Sequence, residues 1–161
     1  MDWQGWATFG FGATVALTGI LVTSQLAGLT RMDIPMMLGT MFVEDPDRAR
    51  VVGFFIHLLN GQAFALLYAS AFSILDQASW WLGGLFGALH GFAALTLIVP
   101  LLPGIHPRMA SQRSGPGVRN VLEPPGLFGL NYGSQTALVT LVAHVLYGAF
   151  LGIFLSANGP K

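Results

Sequence analysis

Three histidines lie inside long apolar stretches of the sequence, where ionisable side chains are rare. His57, His90 and His144 each fall in a different stretch. An ionisable side chain within a membrane is costly and usually faces the interior of the helix bundle, so each is a candidate functional residue. At about 1.5 Å of rise per helical residue, all three come to a similar depth, near the middle of the membrane. They are therefore the first residues to consider for chemistry.

Three roles are open for these histidines. Two of the imidazoles could ligate a haem iron or a chlorophyll-type magnesium, because neutral histidine is a common nitrogen ligand. Alternatively, the three could bind one metal ion or relay protons, with Asn60, Gln62 or Tyr147 as supporting polar groups. The third role is structural, since a neutral histidine can donate a hydrogen bond across a helix interface. The candidate cofactor-binding residues are His57, His90 and His144, supported by Asn60 and Tyr147.

Glycines beside the histidines are compatible with the first of these roles, the ligation of a haem or a chlorophyll-type pigment. They would let a flat ring approach the backbone: Gly61, Gly91 and Gly148. Glycines also recur at four-residue spacing, at positions 83, 87 and 91 and again at 148 and 152. Such small-residue ridges allow membrane helices to pack closely. We expect packing within the bundle rather than a cofactor slot or a dimer seam.

Motifs of hydrolytic and transferase chemistry are absent from the sequence. There is no Gly-x-Ser-x-Gly, P-loop or His-Glu-x-x-His pattern. Cysteine is also absent, which excludes thiolate nucleophiles and disulfides. The acidic residues Asp33 and Glu44–Asp47 alternate with arginines and suit helix capping, so we predict no metal site there. The sequence identifies no catalytic residue and favours a protein that is not an enzyme.

Long apolar runs dominate the composition. Only 9% of the 161 residues are charged and 53% are hydrophobic. A helix needs about 20 apolar residues to cross a membrane, and four segments without acidic or basic side chains qualify: 5–29, 51–75, 80–102 and 135–155. The formal net charge is zero, so no basic surface suggests nucleic acid. The sequence therefore predicts an all-α integral membrane four-helix bundle, with residues 1–161 as a single transmembrane domain.

The three connections differ in character. Residues 30–50 contain a short interfacial helix, because Asp33 can cap it and Pro35 suits its first turn. Asp45-Pro46 repeats this signal at the second span. Residues 76–79 form a tight connection, so spans two and three should be antiparallel neighbours. Residues 103–134 are rich in proline and glycine and predict a long irregular surface loop, with His106 as a loop residue.

Basic residues and tryptophans predict one orientation. Six of the seven basic residues flank the first and third connections: Arg31, Arg48, Arg50, Arg108, Arg113 and Arg119. Lys161 lies on the other side. The positive-inside rule then places loops 30–50 and 103–134 in the cytoplasm and both termini outside. The four tryptophans fall at the outer ends of their spans, as an aromatic belt requires: Trp3, Trp6, Trp80 and Trp81.

Short motifs in three parts of the chain resemble a known group of proteins. The fourth span contains Ala143-His144-Val-Leu-Tyr147-Gly148-Ala-Phe-Leu-Gly152, the second span contains His57-x3-Gly61, and Asp33-Ile-Pro35-x3-Gly39 follows the first span. These features are similar to those of small uncharacterised four-span bacterial inner-membrane proteins, the YagU-like group. The resemblance implies a four-helix fold and a bacterial cytoplasmic membrane, and it carries no activity.

Three functional hypotheses follow. The first is a non-catalytic accessory or scaffold subunit of a larger membrane complex, with lipid and other membrane subunits or a second copy as partners. The second is an electron-transfer subunit that binds haem, pigment or quinone through the histidines. The third is a small oligomeric transporter, motivated by a faint parallel repeat in which Trp6-x4-Phe11-Gly12-Ala13 matches Trp81-x4-Phe86-Gly87-Ala88.

Overall fold

Helices make up most of the computed structural model, which describes residues 2–111, 115, 117 and 121–157. Its α-helices are α1 (Trp3–Leu26), α2 (Ile34–Gly39), α3 (Pro46–Ile74), α4 (Trp80–Ala93), α5 (Val99–Ile105) and α6 (Thr136–Ala157). A π-helical turn (Ala94–Ile98) joins α4 to α5, and a 3-10 helix (Leu127–Tyr132) precedes α6. Four segments are long and apolar enough to cross a membrane: Trp3–Leu26, Pro46–Ile74, Trp80–Ile105 and Thr136–Ser156. The predicted all-α four-helix bundle is confirmed.

Aspartates begin three of the helices. The Asp33 carboxylate accepts a hydrogen bond from the Met36 N–H at 2.8 Å, so α2 begins as predicted. The Asp45 carboxylate accepts from the Arg48 N–H at 2.9 Å. Each bond satisfies a backbone N–H that has no partner in the first helical turn. Because Asp45 caps α3 at Pro46, this helix starts five residues before the predicted boundary at Val51.

The long helices are arranged antiparallel to their close neighbours. Thr18 of α1 lies level with His57 of α3, and Thr14 lies against Gly61. Phe9 of α1 stacks on Phe154 of α6 with ring centroids 5.0 Å apart. Helix α1 is thus antiparallel to both α3 and α6.

Helices α4 and α6 meet backbone to backbone along the glycines. A Cβ atom on Gly83 would lie 2.0 Å from the Gly148 carbonyl oxygen, and one on Gly87 would lie 2.1 Å from that of His144. A Cβ on Gly152 would lie 2.1 Å from the Ser79 carbonyl oxygen. No larger side chain fits at these positions without separating the helices. The predicted role of these glycines in bundle packing is confirmed.

Aromatic side chains close the bundle between α3 and α4. Phe72 of α3 stacks on Phe86 of α4 with centroids 5.6 Å apart, and Tyr68 meets the same ring edge-on at 5.8 Å. One turn further along α4, Phe64 stacks on His90 at 3.8 Å. Spans two and three are therefore neighbours, as predicted, but they meet through side chains rather than through close backbones.

The third span continues beyond its predicted end at residue 102. Helix α5 runs to Ile105 and includes Pro103, so the predicted loop from residue 103 was wrong at its start. Pro100 has no N–H to donate into the helix. The π-helical turn precedes it, and the Val99 N–H bonds to the Ala94 carbonyl five residues back.

The described parts of the two long connections form one unit at the end of the bundle, which we call the cap (residues 30–45, which include α2, with residues 106–111 and 121–133). It has its own small core: Met32, Met37, Leu102, Met109 and Tyr132. Tyr132 donates a hydrogen bond to the Glu123 carbonyl at 2.5 Å. Among the described residues from 106 to 134, the chain is irregular, as predicted, apart from the 3-10 helix. Met109 and Tyr132 are buried, so the prediction that this segment lies on the surface was wrong for them. Arg113, Arg119 and Lys161, used to predict orientation, lie outside the described residues.

Candidate functional site

The fold brings the three predicted histidines together at one level of the bundle. His90 of α4 and His144 of α6 meet edge to face, with ring centroids 4.7 Å apart and an interplanar angle of 83°. His57 of α3 is close enough to interact electrostatically with both. We call these three residues the histidine cluster. Three separate helices position it, and the aromatic ring of Phe64 covers one face of His90.

The His57 tautomer follows from its contact with α1. The Thr18 hydroxyl donates its one proton to the Thr14 carbonyl at 2.7 Å. The same hydroxyl lies 2.8 Å from His57 Nδ1, so it can only accept there. His57 therefore carries its proton on Nδ1, and the lone pair is on Nε2. Within the described residues no donor bonds to this Nε2 atom.

His144 has the same tautomer for a different reason. Its Nδ1 atom lies 2.8 Å from the Thr140 carbonyl oxygen, which can only accept, so Nδ1 carries the proton. The lone pair is again on Nε2, with no donor among the described residues. The Thr140 hydroxyl, one turn away on the same helix, is buried and has no hydrogen-bond partner in the described part of the chain. Two acceptors and one hydroxyl are thus left unused in this region.

Tyr147 and Tyr68 extend the polar layer around the cluster. The Tyr147 hydroxyl donates to the Gly61 carbonyl at 2.6 Å and so joins α6 to α3. The Tyr68 hydroxyl lies 3.4 Å from His90 Nδ1, which is a long contact for a hydrogen bond. Tyr147 therefore lies beside the histidines, with its ring centroid 6.3 Å from that of His90. Its supporting role in cofactor binding stays a prediction.

Asn60 does not join this layer. It lies three residues after His57 on α3, but its side chain is exposed on the outside of the bundle. Gln62 instead bridges α3 to α1: its side-chain amide N–H donates to the Ala7 carbonyl at 2.9 Å, and its backbone carbonyl accepts from the Trp6 indole N–H at 3.0 Å. Of the polar residues predicted to support the histidines, only Tyr147 touches their layer.

A haem or chlorophyll macrocycle does not fit between His90 and His144 as the helices stand. The rings of His90 and His144 are in direct contact, which leaves no layer for a macrocycle between them. The glycines expected to admit a flat ring are also covered, Gly61 by the Thr14 side chain and Gly148 by the Gly83 backbone. Within the described residues, no group of three or more histidine or acidic side chains is placed to hold a metal ion.

His106 is a site residue that the sequence did not indicate. It is only 5% exposed, and its Nε2–H donates to the Met37 carbonyl at 2.8 Å. Its Nδ1 accepts from the Arg108 N–H at 3.1 Å, so both ring nitrogens are used and the ring is neutral. Burial is the main cause that lowers the pKa of His106 below its ordinary value, and the nearby Arg108 charge adds to it.

Arg108 fixes the same part of the cap to α2. Its guanidinium donates to the Thr40 carbonyl at 2.6 Å and pairs with Glu44 at 3.1 Å. The sequence does not reveal these contacts, because Thr40 and Arg108 are far apart along the chain.

No protein-family model matches the chain, and no similar curated protein and no similar solved structure was found.

Proposed function

We propose that the chain is a non-catalytic accessory or scaffold subunit of a larger membrane protein complex. In this proposal the cap presents a fixed surface to another subunit, while the four long helices hold it at the membrane. The observation that supports it most is the order of the cap. In a connection rich in proline and glycine, the described residues 106–111 and 121–133 are fixed by buried side chains and by hydrogen bonds to the segment of α2.

Several exposed groups make the cap suited to docking. Its surface carries apolar side chains that are more than half exposed: Phe42, Val121, Leu127 and Leu130. Charged side chains lie on the same unit, where Arg31 pairs with Glu123 at 3.0 Å. Apolar side chains rimmed by polar ones are typical of protein interfaces. Order at such a surface lowers the entropic cost of binding.

Co-purification in mild detergent with matched arginine variants tests this proposal. Arg108→Ala removes the bonds to Thr40 and Glu44 and should loosen the cap, so partner proteins should be lost. Arg48→Ala is the control, because this arginine lies at the same end of the bundle and its side chain makes no hydrogen bond or ion pair within the described residues. A wild-type protein that purifies alone, or equal partner recovery for both variants, would contradict the proposal.

We further propose that the membrane is a bacterial cytoplasmic membrane, with the cap in the cytoplasm and both termini outside. The positions of the arginines and the resemblance to the YagU-like group support this. Because the chain has no cysteine, single cysteines can report the side directly. A cysteine at exposed Gln77 should react with an impermeant maleimide in intact cells, and one at exposed Val121 should react only after lysis. The reverse pattern would refute this orientation.

A second candidate function is the binding of a quinone-type ligand for electron transfer, favoured by the unused polar atoms near the histidine cluster. The lone pairs on Nε2 of His57 and His144 could accept from the hydroxyl groups of a quinol. The Thr140 hydroxyl could donate to a quinone carbonyl. A single ring with an isoprenoid tail is smaller than a macrocycle and can enter from the lipid.

Extraction of the natively purified protein and mass spectrometry for quinones test this second candidate. His144→Gln should lower the quinone content, and His106→Gln, far from the cluster, should not. If the wild-type protein carries no quinone, and added quinone leaves its thermal midpoint unchanged, the candidate fails. An absorption spectrum of the same sample should show no haem or chlorin band, because no macrocycle fits between the contacting rings of His90 and His144.

A further inference from the structure

An asparagine faces outward at the middle of the longest helix. Asn60 is the central residue of α3, which has 29 residues, so it lies ~21 Å from either end of the helix. Its side chain is exposed and makes no hydrogen bond within the described residues. The large neighbours on this side of the helix are apolar and exposed as well, with Leu59 at 70% and Leu67 at 61%. A primary amide is thus left at the depth of the hydrocarbon core.

An amide at this depth cannot be satisfied by its surroundings. Lipid chains offer neither donors nor acceptors, and an unsatisfied polar group in hydrocarbon is unfavourable. Unlike a lysine or an arginine, asparagine is too short to reach the headgroups from the middle of a span. Polar side chains at such positions hydrogen-bond to a neighbouring helix when one is present. Asn60 therefore points to a helix that lies outside this chain.

The residues around Asn60 form a regular stripe along α3. They alternate at spacings of four and three residues, and none of them is buried: Ile56, Asn60, Ala63, Leu67, Ser70 and Ile74. This is the spacing of a left-handed helix pair, in which every second member occupies an equivalent position. Ala63, next to Asn60, is small enough to let another helix approach the amide. We call these six residues the α3 seam.

We propose that the α3 seam pairs with the same seam of a second copy of this chain, and that the two Asn60 amides hydrogen-bond to each other. Two copies inserted with the same topology place Asn60 at the same depth, so the two amides meet without any further adjustment. A carboxamide has both a donor and an acceptor and is self-complementary across a two-fold axis. A different partner would need its own polar group at that depth.

The test measures dimerisation of the purified full chain in phosphatidylcholine vesicles, by energy transfer between labelled copies as lipid is added. Asn60→Leu should weaken dimerisation about 3- to 30-fold, the range that corresponds to one polar contact between membrane helices. Ala63→Leu should weaken it by blocking close approach at the seam. Ala16→Leu is the control, since Ala16 is also an exposed alanine but lies on α1.

Cysteine cross-linking provides a second readout that does not depend on affinity. A single cysteine at Ala63 should form a disulfide-linked dimer on oxidation in vesicles, and one at Ala16 should not. The proposal is overturned if the wild-type chain is monomeric at all lipid ratios, or if Asn60→Leu and Ala16→Leu dimerise like the wild type. This test uses the chain alone, so it is independent of the proposed accessory role, which concerns other proteins bound at the cap.

Discussion

Replacing Gly83 by alanine should separate α4 from α6. The added Cβ would lie 2.0 Å from the Gly148 carbonyl oxygen, about 1 Å closer than packed atoms tolerate. This oxygen belongs to a helix backbone and cannot rotate away. A gap of 0.5–1 Å already removes about a quarter to a half of the dispersion energy of the atoms that face it. We expect Gly83→Ala to lower the free energy of unfolding by about 1–3 kcal/mol, the usual cost of overpacking.

Gly84→Ala is a control for this change on the adjacent residue. Its Cβ would lie 3.8 Å from a Val145 methyl carbon, an ordinary van der Waals distance. Both variants gain the same helix propensity, up to about 1 kcal/mol in water. The difference between them therefore reports the clash alone.

Unfolding by SDS in mixed micelles, followed by circular dichroism, measures this difference. Gly83→Ala should unfold at a lower SDS fraction than the wild type, and Gly84→Ala should unfold at the wild-type fraction or above it. If the two variants are equally stable, then α4 and α6 do not approach as closely as described. The assignment of the glycine ridge to packing would then be wrong.

Three further substitutions test the hydrogen bonds of the cap and of the histidine layer. Because burial lowers the pKa of His106, the stability that its neutral ring provides should fall as the pH drops from about 6.5 through the folded-state pKa. Thermal midpoints measured across this pH range should show the fall, and His106→Gln should remove it. Burial raises the pKa of Tyr132 to about 12, so stability should fall between pH 10 and 12, and a Tyr132→Phe variant that keeps the whole fall would contradict this. Tyr147→Phe removes the bond to the Gly61 carbonyl and should cost about 1–2 kcal/mol in the SDS assay; no loss would show that this bond does not stabilise the bundle.

The four spans could be predicted because lipid imposes one rule on the sequence. A membrane-crossing backbone must satisfy its own hydrogen bonds, so each long uncharged run has to be a helix. The Asp45-Pro46 signal predicted the start of α3, whereas the membrane span was drawn only from Val51 because Asp47, Arg48 and Arg50 were assigned to the connection. Charged side chains are compatible with the first turns of a helix that begins in the headgroup region, and Asp45 provides the cap.

The common depth of the three histidines could be predicted from the sequence, but their contacts could not. Counting residues from the helix ends is enough to bring His57, His90 and His144 to one level. Their hydrogen bonds depend on the rotation of each helix about its axis, which a nearly uniform apolar sequence does not reveal. Asn60 illustrates this: three residues after His57 is about 300° of rotation, and the side chain turns out of the bundle. The parallel repeat likewise did not reveal that Gly12 faces Phe150 whereas Gly87 faces backbone.

Helix α2 of the cap could be predicted from its Asp33 and Pro35 signals, but the burial of the rest of the cap could not, because its contacts are long-range. Gly-Ile-His106-Pro has the composition of a surface loop, and nothing local indicates burial. His106 is buried only because α2, 69 residues away in sequence at Met37, lies against it. A pattern confined to neighbouring residues cannot reveal a partner at that separation.

The π-helical turn at Ala94–Ile98 lets the side chains at the two ends of the third span face different directions. Such a turn holds one more residue than an α-helical turn. Every side chain beyond it is therefore rotated about the helix axis by about 100° from the direction that an uninterrupted α-helix would give it. The tightly packed glycine half and the proline half that meets Met32 and Met109 can therefore each keep the angular setting that its own neighbours need. Loss of a single residue here would make the helix regular and would turn the proline half away from the loops that it supports, although no packing residue had been changed.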